Sequence, residues 1–145
     1  MPAVERLRAE EAGARLGHPD MLAAFAQRVR RLRGEIVAAV SALRADGVMV
    51  AGYGAPAKAS TLLDYCGLGP DQIAWIADRN RLKQGRLTPG TGIPVVSPDR
   101  IAAEKPGVLV LFAWNFADEI MMQLDEYRRA GGRFLIPVPQ VRLVG

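Results

Sequence analysis

Three stretches of the chain carry residue types that can hold and orient a charged, hydroxyl-rich small molecule. The first is Gly52-Tyr53-Gly54-Ala55-Pro56-Ala57-Lys58, a G-x-G-x-x-A pattern that follows an apolar run. Glycines there permit a tight turn and bring a ligand close to the backbone, and the helix start beyond them favours an anion. Lys58, Ser60 and Thr61 add donors in the first helical turn. The second stretch opens at Asp78, where a carboxylate after the second strand of such a unit accepts hydrogen bonds from a ribose diol. It continues through Arg79, Asn80, Arg81, Lys83, Gln84, Arg86 and Thr88 to Gly92, with four cations and only the initial acid, a balance that suits a phosphate or diphosphate. The third is Trp114-Asn115, a ring and an amide that can stack on a sugar or base and hydrogen-bond it. Each stretch also has a plain structural reading: a strand-to-helix turn, a solvated loop, a packed ring. The glycine pattern gains weight because it sits between an expected strand and an expected helix, the context it requires.

Catalytic chemistry is harder to find. The chain holds one cysteine, Cys66, and one histidine, His18. That excludes an internal disulfide, a multi-cysteine zinc site and a Ser-His-Asp arrangement near the glycine pattern, because His18 falls in the N-terminal helical part. Asp64 with Tyr65 reads as surface and core rather than an acid/base pair. No residue is assigned a catalytic role and no metal ligands are assigned, so the stretches above describe a ligand-binding unit more than a complete enzyme.

The elements that must position these residues follow from hydrophobic spacing. Ala3 to Leu16 and Asp20 to Asp46 read as helices; in the second, Leu22, Phe25, Val29, Leu32, Ile36, Val40 and Leu43 recur at steps of three and four. This stripe either covers a face of the chain's own sheet or docks a partner helix. Short apolar runs at 48–52, 73–77, 108–112 and 133–137 read as strands buried on both faces. Between them lie a helix from Ala57 to Cys66 closed by Gly67, a polar loop from Arg79 to Ile93, a short helix capped by Ser97, and a helix from Phe116 to Ala130. Alternation of strand and helix predicts an α/β fold: a Rossmann-like parallel sheet of order 2-1-3-4, flanked by helices, with an N-terminal helical extension. Residues 1–47 are expected to pack as N-terminal helices on the same domain, and 48–145 to form the Rossmann-like part. In such a sheet the three stretches all meet at the carboxyl edge.

Composition bounds the class. The 145 residues are 50% hydrophobic and 23% charged, enough for a core and too apolar for disorder. The net charge of +4 is spread evenly, with eight basic and six acidic residues before Val48 and eleven and nine after it. Nucleic acid is therefore not the expected partner. No stretch is long and apolar enough to span a membrane, and the charged N-terminus has no secretory pattern. A cytoplasmic protein with no membrane partner is the expectation.

Taken together and in order, Gly52–Lys58, Asp78-Arg79-Asn80 with Lys83-Gln84-Gly85-Arg86 and Thr88-Pro89-Gly90-Thr91, and Trp114-Asn115 before Asp118-Glu119-Ile120 resemble the C-terminal domain of the S-adenosylmethionine-dependent sugar C-methyltransferases. The resemblance runs from about Leu32 to Val141. It implies a domain that closes over a nucleotide-linked sugar, with substrate contacts among Gly52, Tyr53, Gly54, Ala55, Lys58, Asp78, Asn80, Lys83, Gln84, Arg86, Thr88, Trp114 and Asn115. It also implies an N-terminal cysteine-rich zinc segment and a domain that binds S-adenosylmethionine, in cis or in trans; this chain offers residues for neither and alone is not catalytically complete. Two further readings stay open: a stand-alone Rossmann protein using NAD or S-adenosylmethionine at the glycine turn, and a non-catalytic interaction module docking through the Leu22–Leu43 stripe.

Overall fold

A computed structural model describes residues 2–145. By their contacts the residues fall into two compact units, one ending at Arg31 and the other running Leu32–Gly145. The first contains α1 (Ala3–Gly13) and the start of α2 (Pro19–Ala45). None of the α1 residues is buried, and Val4, Leu7, Leu16, Leu22 and Phe25 are all exposed.

The second unit holds the sheet. Its elements are β1 (Val50–Tyr53), α3 (Ala57–Cys66), β2 (Ile76–Ala77), β3 (Val95–Val96), α4 (Asp99–Glu104), β4 (Val108–Leu111), α5 (Ala117–Gln123), α6 (Asp125–Arg129), β5 (Arg133–Ile136) and β6 (Arg142–Val144). The strands lie in the order β3-β2-β1-β4-β5-β6, parallel throughout except for β6, which runs antiparallel to β5. The four expected strands keep the expected relative order. Two edge strands join them: β3, from the end of the long loop, and β6, after Pro139. Both are too short, at two and three residues, to show a period in the sequence.

Alternation along each strand divides the core into two layers. On one side Ile36, Val40 and Leu43 of α2 and Ala59 and Leu63 of α3 pack with Val50, Ile76, Val108, Val110 and Leu135. On the other, Ile101, Ala117 and Ile120 pack with Ala51, Tyr53, Ala77, Leu109, Leu111, Phe134 and Ile136. Each fully buried aliphatic or aromatic side chain contributes roughly 1.5–3 kcal/mol. The part of the stripe that covers the sheet is thus Ile36–Leu43, while Leu22 and Phe25 are more than half exposed, at 54% and 55%.

Local chemistry accounts for the helix ends. Gly67 adopts φ +66°, its N–H donates to the Asp64 carbonyl, and the Leu68 N–H reaches the Leu63 carbonyl, the left-handed stop that the glycine predicts. The short helix after Ser97 begins one residue later than Pro98, and the Asp99 N–H meets Ser97 Oγ only at 3.4 Å. The single helix expected from Phe116 to Ala130 is instead a 3-10 turn at Trp114–Phe116, then α5 and α6 separated at Leu124, whose φ of −103° and ψ of 29° leave the helical region. Leu124 is half-buried against the second layer, so packing rather than a breaker residue sets this kink. No helix among the described residues is long and apolar enough to cross a membrane.

Candidate functional site at the sheet's switch point

The sheet reverses direction between β1 and β4: β2 and β3 extend from one side of that pair, β5 and β6 from the other. A crevice at the carboxyl end of such a pair is where ligands of parallel α/β sheets bind. The residues that emerge there are Gly54 onward after β1 and Phe112 onward after β4. The two segments approach closely. Gly54 takes φ +81°, and a Cβ on it would lie 2.9 Å from the Cβ of Ala113. Glycine is required on both counts, which explains the second glycine of the pattern. The first, Gly52, faces Phe112 and Ile76, with no room for a side chain.

Beside this turn Lys58, Trp114 and Asn115 converge. Lys58 Nζ donates to Asn115 Oδ1 at 2.9 Å and lies 3.9 Å from the centroid of the Trp114 ring. Lys58 stands in the first turn of α3, whereas Trp114 and Asn115 occupy the 3-10 turn after β4. An ammonium group, an aromatic face and an amide are thus within reach of one ligand. Phe116, 61% exposed at the end of the same turn, adds an apolar surface that sequence reasoning did not single out.

A second group encloses the glycine turn itself. Asp78 Oδ2 accepts the Ala55 N–H at 2.7 Å, and its Oδ1 accepts the Asn80 N–H at 2.8 Å. Lys83 Nζ donates to the Ala55 carbonyl at 2.8 Å and sits 3.6 Å from Asp78 Oδ2. Gln84 Nε2 donates to the Asp78 carbonyl, and Asn80 Oδ1 accepts the Leu82 N–H. Tyr53, the residue between the two glycines, is buried in the second core layer; burial raises its pKa above the ordinary tyrosine value, Arg79 lowers it and Asp78 raises it further.

The rest of the loop is turned to other uses. Thr88 is buried, its hydroxyl 2.6 Å from that of Thr91 and accepting the Ile93 N–H at 2.9 Å. The Arg86 side chain is exposed, and its carbonyl accepts the Val95 N–H. Gly90, at φ +76°, lies against the Asp64 carboxylate. Arg79 reaches Gln123 at 3.3 Å. Cys66 is buried, and burial holds its thiol pKa above the ordinary value, with Arg33 pulling it back down. No group of three His, Cys, Asp or Glu side chains is placed to hold a metal ion among the described residues.

The sequence that carries these residues matches a known family. The profile of the C-methyltransferase C-terminal domain matches residues 1–139. The chain belongs to the C-methyltransferase C-terminal domain family. C-methyltransferase NovU of Streptomyces niveus is 42% identical to it over 143 residues, which cover 99% of this chain and 34% of that protein. The chain therefore spans about a third of the curated relative's length. Both the Lys58–Trp114–Asn115 group and the Asp78–Lys83 group lie inside the region matched by the C-methyltransferase profile.

Proposed function

We propose that this domain binds the nucleotide-linked sugar acceptor of a C-methyltransferase and orients it toward a methyl donor held elsewhere in the enzyme. The observation that carries the reading is the convergence of Lys58, Trp114 and Asn115 beside the switch point. A nucleotide sugar has a diphosphate, a flat base and several hydroxyls. These three side chains offer a cation, a ring face and an amide in the same reach, and charge-assisted hydrogen bonds to phosphate are the strong ones.

The donor of such enzymes, S-adenosylmethionine, supplies an electrophilic methyl group when bound. Its amino-acid carboxylate would need free N–H groups at a glycine turn, and its ribose a free protein carboxylate. Here the Ala55 N–H and the Asp78 carboxylate bond each other, so these residues do not fit it. In this reading the donor belongs to a separate methyltransferase domain, in cis or in trans, and the present domain contributes binding, orientation and closure over the acceptor.

The test is a titration of the isotope-labelled chain with a dTDP-linked sugar, followed by NMR. Saturable shifts centred on Lys58, the Trp114 indole and the Asn115 side-chain amide are expected. Shifts confined to α1 and the first half of α2 would remove the reading.

A further inference from the structure

We propose that Asp78 and Lys83 are positioning residues that fill the glycine turn with the chain's own charges, which leaves Lys58 as the residue that reads the ligand's anion. The Lys58 half of this inference rests on the acceptor-binding reading; the Asp78–Lys83 half does not.

A glycine turn at the start of a helix is an anion site only while its N–H groups are free. In this chain the two N–H groups of the turn itself are not, although no side chain caps the start of α3. The Gly54 N–H donates to the Ala77 carbonyl at 2.7 Å, and the Ala55 N–H donates to Asp78 Oδ2 at 2.7 Å. The Ala55 carbonyl is taken by Lys83 Nζ at 2.8 Å. The Asp78 side chain is only 13% exposed, and its second oxygen is held by the Asn80 N–H. A carboxylate therefore stands where the turn would receive an anion, and it repels a phosphate brought to the same place. Lys83 sits 3.6 Å from that carboxylate, so its charge is spent on a partner of opposite sign.

Lys58 differs in its surroundings. Its two partners are the neutral Asn115 amide and the face of Trp114. Among the described residues no carboxylate forms an ion pair with it, so its positive charge is uncompensated at the rim. An ammonium group also has three donors, and Asn115 accepts only one of them. The glycine pattern consequently serves close approach of two chain segments, and the reading of negative charge is displaced by one turn of backbone, from the turn onto α3.

Two measurements test this. The first needs no ligand: hydrogen exchange of the Ala55 amide. In the wild type that amide is expected to be protected by about 100-fold or more over open chain, as a bonded N–H in an ordered turn is. Asp78→Ala removes the protection, while Asp78→Asn, which keeps an acceptor oxygen, retains most of it. An unprotected Ala55 in the wild type overturns the clasp. So does an Asp78→Asn protein that folds, judged by unchanged exchange at Val50 and Val110, yet exchanges Ala55 as fast as Asp78→Ala.

The second measurement titrates dTDP. Lys58→Met is expected to weaken binding by about tenfold or more, the loss of one charge-assisted contact, and Lys83→Met by less than about threefold. Equal losses, or largest shifts at the Gly54 and Ala55 amides, overturn the assignment of the anion to Lys58. A titration in which dTDP moves no rim signal removes both the acceptor-binding reading and the Lys58 assignment, and the clasp is then decided by the exchange of Ala55.

Discussion

Lys58 Nζ lies 3.9 Å above the Trp114 ring while it donates to Asn115 Oδ1 at 2.9 Å, so one ammonium group joins the helix after β1 to the turn after β4. The pair spans the line at which the sheet reverses. A cation over an indole at a partly solvated site is worth about 0.5–1 kcal/mol. Replacing Lys58 with Met is therefore expected to lower unfolding stability in urea by no more than about 1 kcal/mol, while changing the fluorescence of Trp114. A loss well above that would make Lys58 a structural residue first.

The two halves of α2 should respond differently to truncation. Ile36 is 1% exposed in the first core layer, whereas Leu22 is 54% exposed. Ile36→Ala is expected to cost about 2–5 kcal/mol, through lost burial and the cavity left behind. Leu22→Ala should stay within about 0.5 kcal/mol. Urea midpoints of the two variants check this, and comparable costs at both positions would contradict the burial difference.

Gly52 faces the ring of Phe112 and the side chain of Ile76, both in the core; a Cβ there would come within 2.6 Å of the ring and 2.9 Å of the isoleucine. Gly52→Ala is expected to destabilise by about 1–3 kcal/mol, the usual range for overpacking. The backbone of Gly52 is hydrogen-bonded to Trp75, so the strain falls on the side chains rather than on the turn. Chemical denaturation measures it, and a neutral outcome would show that Phe112 can move aside.

Tyr127 gives the fold an alkaline limit. Burial pushes its pKa up to about 12, although the hydrogen bond from its hydroxyl to the Arg133 carbonyl is present and nearby Arg133 lowers it. The unfolded value is near 10. A raised folded pKa means that the stabilisation is complete below pH 10 and is lost as pH rises from there toward 12, because the unfolded chain gives up its proton first. Urea midpoints should fall across this window, in step with tyrosinate absorbance. Tyr127→Phe should flatten the fall, leaving the smaller part that comes from Tyr53 and Cys66, whose pKa values are also raised. A midpoint unchanged across the window would contradict the linkage.

Much of the fold was legible because its signals are local. Four strands showed as apolar runs, α3 showed through Gly67, and the order of the four strands followed from handed crossovers. The kink at Leu124 was not legible, since Phe116 to Ala130 keeps one helical period and only packing against the second layer decides the break. At the site, the spacing of Lys58 and Trp114-Asn115 was enough to bring them together, because both follow adjacent parallel strands. The bonding of Asp78 was not: a carboxylate aimed at a ligand and one aimed at the Ala55 N–H occupy the same place in the sequence. The run from Thr88 to Gly92 reads as a turn of defined shape with Thr88 as a ligand contact, and only the fold reveals that the Thr88 hydroxyl is taken up by Thr91 and Ile93.

The stretch after Asp78 has a second role that its charges conceal. Gly85 donates to the Val95 carbonyl, the Val95 N–H donates to Arg86, and Leu87 bridges Pro94. The outer margin of β3 is therefore already capped by its own chain. A bare margin on a parallel sheet invites strands from neighbouring molecules. Deleting these residues to simplify the ligand-binding surface would thus uncover a template for intermolecular pairing, and the shortened protein would precipitate before its affinity could be compared.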